Sequence, residues 1–379
     1  MPPLQGIKVV EMAGLAPVPY AGMILADFGA DVVRVDRLGA GSMLPDARGD
    51  CLARGKRSIA IDLKNPRGVE TLLKLASHSD VLVEPFRPGV MEKLGLGPEV
   101  ITKLNTRIVY ARLTGFGQEG PYANMAGHDI NYIAMSGVLG ALGQKGGAPQ
   151  APINLLGDFA GGGMTCALGI LLALFERERS GRGQVLDSAM VDGAASLGTF
   201  LFGFYSQGMW RAERGTNLLD GAAHFYRTYE TADGLFLSVG AIEPQFYSEL
   251  MRLLDLAEDD FPHQMDQEQW PRMQVTFAEI FKKRTRDEWM EVFAGSDACV
   301  APVLGFDEAP THPHNAHRGT FVEGVKGSSV PGPAPRLART PGRAGSRAPL
   351  VGEHGRELLV ELGLSEAEVD DLQASHVVG

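Results

Sequence analysis

Two hydrophobic periods alternate along the first third of the chain, and this alternation restricts its architecture more than any other feature. Ile7-Lys8-Val9-Val10-Glu11 reads as a strand, and Tyr20 to Phe28 as a helix stopped by Gly29. Asp31 to Val35 and Ser58 to Leu63 read as two more strands. Asn65-Pro66 then supplies an N-cap and a first-turn proline for a helix running to Ala76. Asp80-Val81-Leu82-Val83 and Arg107 to Ala111 are further strands. Strands that alternate with helices predict a parallel sheet covered on both faces, joined by right-handed crossovers.

Beyond Gly215 the pattern changes. His224 to Glu230 and Leu235 to Val239 form a hairpin pattern around Ala232-Asp233-Gly234. Glu243-Pro244 opens a helix with Phe246, Leu250, Leu253 and Leu254 on one face. Thr285-Arg286-Asp287-Glu288 is a capping box before another helix. These features describe a smaller α+β domain, and 379 residues leave room for two domains. Gly324 to Pro349, rich in Gly, Pro, Ser and Arg, reads as an extended connector. Two helices follow it, Glu353 to Leu362 and Ser365 to Leu372.

A net charge of −11 argues against a general nucleic-acid binder. Cys51, Cys166 and Cys299 are far apart in sequence, which argues against a disulfide framework or zinc ribbon. The apolar run Met164 to Phe175 is too short for a membrane span and ends in Glu176-Arg177-Glu178-Arg179. His312-Pro313-His314-Asn315-Ala316-His317 has loose spacing in a Pro-containing loop and reads as solvated, so no metal site is expected. No P-loop, no G-x-G-x-x-G and no G-x-S-x-G occurs at the expected positions.

The chemistry concentrates in two glycine-flanked places. His128 lies in Ala126-Gly127-His128-Asp129-Ile130-Asn131-Tyr132, before a helix expected over 129–142. Asp158 lies in Asn154-Leu155-Leu156-Gly157-Asp158, before a helix expected from Gly161 to Phe175. A titratable group at a helix start stands beside unpaired N–H donors and a positive dipole end, an arrangement for moving protons near a developing anion. The plain alternative for each is a cap. Gly161-Gly162-Gly163 weaken a helix start, which suggests close approach of a ligand to the backbone. Glu243, before Pro244, reads alone as an N-cap. Arg37, Arg54, Lys56, Arg57, Lys64, Arg87 and Lys93, at the ends of successive strands, form a basic set for the phosphates of an anionic ligand.

With Asn217-Leu218-Leu219-Asp220-Gly221-Ala222, Val239 to Tyr247 and Asp297-Ala298-Cys299-Val300, these segments resemble the 2-methylacyl-CoA racemases of the class III CoA-transferase superfamily. The resemblance covers nearly the whole chain. It implies an α/β fold: a Rossmann-like large domain over 1–200, completed by 345–379, a small domain over 222–322, and linkers at 201–221 and 323–344. It implies an interlocked homodimer whose site forms between the large domain of one chain and the small domain of the other. It carries the acid/base pair onto His128 and Asp158, with Glu243 as a supporting carboxylate. CoA binding is carried onto Arg37, Ile61, Asp62, Leu63, Lys64, Pro85, Phe86, Arg87, Lys93, Gly127, Asp129, Ile130, Asn131 and Tyr132. Animal members suggest a peroxisomal or mitochondrial address, but His376-Val377-Val378-Gly379 is not a peroxisomal tripeptide; a bacterial source would make it cytoplasmic.

The implied reaction is racemisation of a 2-methylacyl-CoA through an enolate, with no metal or redox cofactor. Donors at both helix starts would stabilise the enolate. The alternative is CoA transfer with Asp158 as covalent nucleophile; a third possibility is a non-catalytic acyl-CoA binder.

Overall fold

A computed structural model describes residues 1–42, 44–257 and 261–379. The chain divides into two compact units: 1–136, 153–197 and 313–379 form the first, and 137–152 with 198–312 form the second.

The first unit is built on a six-stranded sheet of order β3-β2-β1-β4-β5-β6, every neighbouring pair parallel. The strands are β1 (Lys8–Met12), β2 (Asp31–Asp36), β3 (Arg57–Ala60), β4 (Val81–Glu84), β5 (Val109–Thr114) and β6 (Val185–Ala189). This is the strand order of a Rossmann-like doubly wound sheet. Period-2 alternation divides the strand residues between two cores. Val10, Val33, Ile59, Leu82 and Tyr110 enter one, with Leu72 and Leu75 and the C-terminal Leu358, Leu359, Val369 and Leu372. Val9, Val32, Val81, Val109 and Ala111 enter the other, with Val18, Leu25, Ile170 and Leu174. The free edge of β3 is closed by the chain end: Gly379 exchanges backbone hydrogen bonds with Ala60 at 3.0 and 3.2 Å, and Asp62 N–H donates to Val377 O at 2.9 Å.

One expected helix has a different form. Residues Leu155–Met164 make a π-helix that runs straight into the α-helix Thr165–Ser180. Asp158 therefore sits inside the first turn of a helix, not ahead of one. The continuous helix, Leu155–Ser180, has 26 residues and is by length and composition apolar enough to cross a membrane. The expectation of a run too short to span is corrected on length. Its inner side packs in the core with the sheet, through Cys166, Ala167, Ile170 and Leu174.

The three glycines also have a different reason from the expected one. A Cβ on Gly161 would lie 2.7 Å from Ala194 N, and one on Gly163 2.5 Å from Pro17 O. A Cβ on Gly193 would lie 1.9 Å from Gly161 O. The small residues let the π-helix touch the backbones of the helices Met190–Leu197 and Pro17–Asp27; the space is filled by protein and not left for a ligand. Helix propensity alone would make Gly161→Ala stabilising by roughly 1 kcal/mol. The backbone contact reverses the sign, and a loss of about 1–3 kcal/mol is expected in urea unfolding.

The second unit carries a three-stranded antiparallel sheet, β7 (Tyr226–Glu230), β8 (Phe236–Gly240) and β9 (Val300–Pro302). The helices Pro244–Leu253, Trp270–Phe281 and Arg286–Phe293 share its aromatic core. The capping boxes at Thr285 and Ser365 form as their sequences predict. His224 is buried in this core, its Nε2 2.9 Å from the Tyr247 hydroxyl. Burial pushes its pKa from 6.5 down to about 4. The neutral ring is thus the folded form, so its stabilising contribution is complete above pH 6.5 and is lost as pH falls toward 4. The span corresponds to roughly 3 kcal/mol. His224→Gln should flatten the dependence of urea midpoint on pH across this window.

Candidate active site

In open α/β sheets ligands gather beyond the carboxyl ends of the strands. Arg37 follows β2, Ile61 to Lys64 follow β3, Pro85 to Arg87 follow β4, and Gly127 to Tyr132 lie beyond β5. Arg37, Lys64, Arg87 and Lys93 are all exposed there or close by.

The other three members of the basic set are committed to the fold. Lys56 Nζ is fully buried and lies 2.9 and 2.7 Å from the two Glu11 carboxylate oxygens, and 2.8 Å from Pro19 O. A Cβ at Gly22 would collide with that carboxylate, 1.7 Å from Oε2. Arg54 pairs with Asp27 at 3.1 and 2.5 Å and donates to Pro331 O at 2.7 Å. Arg57, at the start of β3, pairs with Asp31, Glu357 and Glu361. Desolvating three cations requires partners, and each has found them. Of the seven cations read as a phosphate-binding set, Arg54, Lys56 and Arg57 are thus engaged within the protein, and Arg37, Lys64, Arg87 and Lys93 stay exposed.

The loop after β4 is held by a buried network that sequence reasoning missed. Glu84 is fully buried; its Oε2 accepts the Phe86 N–H at 2.6 Å, and its Oε1 accepts from Arg112 Nε at 2.9 Å. Arg112 also reaches Glu92 at 2.8 Å, next to Lys93. Burial pushes the Glu84 carboxyl up to about 7, against the Phe86 and Arg112 hydrogen bonds that lower it. A carboxylate ending the apolar run Val81-Leu82-Val83 was the available signal. A Cβ on Gly14 would lie 2.6 Å from Pro85 Cγ, so glycine there lets this loop pack against the chain after β1.

His128 is exposed and sits immediately before the helix Asp129–Met135. That helix is shorter than expected because Gly137, at φ +84°, breaks the chain before a second short helix, Val138–Ala141. Asn131 Oδ1 accepts the His128 N–H at 3.0 Å. The Tyr132 hydroxyl donates to Gly127 O, and Tyr132 stands edge-on to Phe116 at 5.0 Å. A Cβ on Gly127 would lie 2.8 Å from the Tyr132 ring, so glycine is needed for this closure.

Asp129 joins the two segments. Its Oδ2 accepts the Gly157 N–H at 2.6 Å and the Asp158 N–H at 2.8 Å. The residue next to His128 therefore fixes the backbone of Asp158. Asp158 Oδ2 in turn accepts from Asn154 Nδ2 at 3.0 Å. Two expectations change. The N–H donors at 157 and 158 are occupied and are not open to an enolate. The carboxylate of Asp129 is buried and turned to protein, so only its backbone remains for a CoA contact. Asn131 is exposed and uses its Oδ1 on the His128 N–H, and Ile130 is 49 % exposed.

Glu243 belongs to the second unit. It precedes the helix Pro244–Leu253, but its side chain makes no cap hydrogen bond, so its carboxylate is exposed and unspent on capping. The preceding turn is fixed by buried Gln264, whose Nε2 donates to Ala241 O and Ile242 O at 2.9 Å each. The segment around 312–317 forms a short exposed helix, Pro313–Arg318, instead of a loop. Among the described residues no group of three His, Cys, Asp or Glu is placed to hold a metal.

Comparison with known proteins places this geometry in context. An α-methylacyl-CoA racemase of Mus musculus is 53 % identical over 376 residues, 99 % of this chain and 97 % of that protein. The α-methylacyl-CoA racemase of Homo sapiens is 52 % identical over 378 residues, covering 99 % and 97 %. A crystal structure of a CAIB/BAIF family protein from Brucella suis superimposes with a TM-score of 0.82 at 26 % identity, covering 95 % of this chain and 99 % of that one. Residues 4–355 match the CoA-transferase family III as a whole. With the doubly wound sheet and the glycine-flanked His and Asp segments in place, the chain belongs to CoA-transferase family III.

Proposed function

We propose that the protein interconverts the epimers of 2-methylacyl-CoA thioesters by moving a proton on and off the α-carbon. The observation that carries this reading is the Asp129 junction, which ties the backbone of Asp158 to the residue beside His128. Similarity to proteins named α-methylacyl-CoA racemase supports it over the full length.

An α-proton beside a thioester is weakly acidic, and its removal becomes feasible as the carbonyl takes the charge as an enolate. One of the pair His128 and Asp158 removes the proton, and the other returns one to the opposite face; the roles exchange for the other epimer. Each positioned proton transfer contributes roughly 10²–10⁴ in rate. The enolate needs donors as well, and the start of the helix Asp129–Met135 has N–H groups without intrahelical acceptors. Loss of one such donor typically costs about 10²–10³ in kcat. Arg37, Lys64, Arg87 and Lys93 would receive the CoA phosphates. Glu243 is the supporting carboxylate of this proposal, and the path requires no metal or redox group.

A homodimer accompanies this reading. The outer side of the helix Thr165–Ser180 exposes Leu168, Leu172 and Phe175 at 55, 59 and 62 %, an apolar face suited to a second copy. Leu172→Asp with Phe175→Asp should lower the sedimentation mass from two chains to one.

Incubation of one epimer of a 2-methylacyl-CoA in heavy water, without an acceptor acid, tests the reaction. Deuterium at the α-carbon with both epimers is the expected result. Exchange of CoA only after a free acid is added would instead establish Asp158 as a transferase nucleophile. His128→Ala should abolish most of the exchange while CoA affinity stays within about threefold, since the imidazole is reserved for the proton.

A further inference from the structure

Asp129 is 4 % exposed, a rare position for a carboxylate. Only one of its oxygens is satisfied. Oδ2 takes both the Gly157 and Asp158 N–H groups, whereas Oδ1 is buried without a hydrogen-bond partner. Gly157 makes the approach possible, since a Cβ there would lie 2.6 Å from Oδ2. A buried carboxylate with an unsatisfied oxygen is costly to the fold. Asp129 does not cap its own helix: its Oδ2 takes two N–H groups in the first turn of the helix Leu155–Met164, which leaves Oδ1 unexplained.

We infer that Asp129 is a positioning residue: its carboxylate sets the separation of His128 and Asp158 by fixing the Asp158 backbone to the start of the helix that follows His128. The inference rests on the acid/base pair proposed above and adds what holds it. The short path runs from His128 across one peptide bond to Asp129, through one hydrogen bond to the Asp158 N–H, and from there to the Asp158 side chain. Hydrogen bonds to an ionised acceptor are short and strong, as the 2.6 and 2.8 Å distances here illustrate. Two donors on one oxygen restrict rotation of this segment more than one donor would. A shift of about 1 Å between a base and its substrate can cost on the order of 10²-fold in rate.

The test compares the full-length wild type with Asp129→Ala, Asp129→Asn and Gly157→Ala. Kinetic constants for α-proton exchange in heavy water are measured beside the Kd for CoA itself and the thermal midpoint. Asp129→Ala should lose about 100-fold in kcat while the Kd for CoA stays within about threefold. Asp129→Asn keeps a carbonyl oxygen for both N–H groups and should recover to within about tenfold of wild type. Gly157→Ala pushes the carboxylate away and should resemble Asp129→Ala.

A kcat for folded Asp129→Ala near that of wild type would overturn the inference. So would a rise in Kd for CoA that matches the fall in kcat, since Asp129 would then be a ligand contact. Should Asp129→Ala fail to fold, the other two variants decide: Gly157→Ala as active as Asp129→Asn would overturn it. A wild type that exchanges no α-proton removes the reaction and the inference together, whereas normal exchange beside an unaffected Asp129→Ala removes the inference alone.

Discussion

Two backbone N–H groups bonded to one buried carboxylate oxygen connect the halves of this site. Without Asp129, the segment after β5 and the π-helix would be related only through the packing around them. Hydrogen bonds to a charged acceptor in a low-dielectric interior give that relation a fixed distance. The arrangement depends in turn on Gly157, and the π-helix that contains it depends on contact between the backbones at Gly161 and Gly193. Local glycines thus transmit the position of the sheet and its covering helices to the segments that carry His128 and Asp158.

The same economy appears in the basic residues near the sheet. Lys56 and Arg54 are drawn inward and neutralised by Glu11 and Asp27. Burying such pairs contributes little net stability against apolar replacements, but removing one partner leaves an uncompensated charge. Their outcome is geometric. Lys56 also holds the Pro19 carbonyl in the first turn of the helix that supports the glycines of the π-helix. The network of Glu84, Arg112 and Glu92 does the same for the loop bearing Arg87. Buried charge fixes these loops, while Arg37, Lys64, Arg87 and Lys93 stay exposed.

Much of the fold was legible because its signals are local. β1 to β5 each announce themselves by short apolar runs, and Asn65-Pro66, Thr285 and Ser365 mark helix starts through hydrogen bonds made within one turn. The π-helix was not legible, since an i+5 pattern is decided by what packs against it and carries no distinct period over ten residues. The three glycines were visible, but their purpose was not: the backbone atoms they admit belong to residues 17 and 193–194, remote in sequence. Asp129 was noticed as part of a motif, yet the direction of its carboxylate follows from a partner 28 and 29 residues away.

The sequence by itself determined a parallel α/β unit, a second α+β unit, and the two glycine-flanked residues His128 and Asp158, because periodicity, caps and motifs act over a few residues. The tertiary structure alone decided which cations are structural, where the glycines are filled, and how the segments carrying His128 and Asp158 are joined. Those outcomes depend on burial, and burial is set by residues that meet only when the chain is folded.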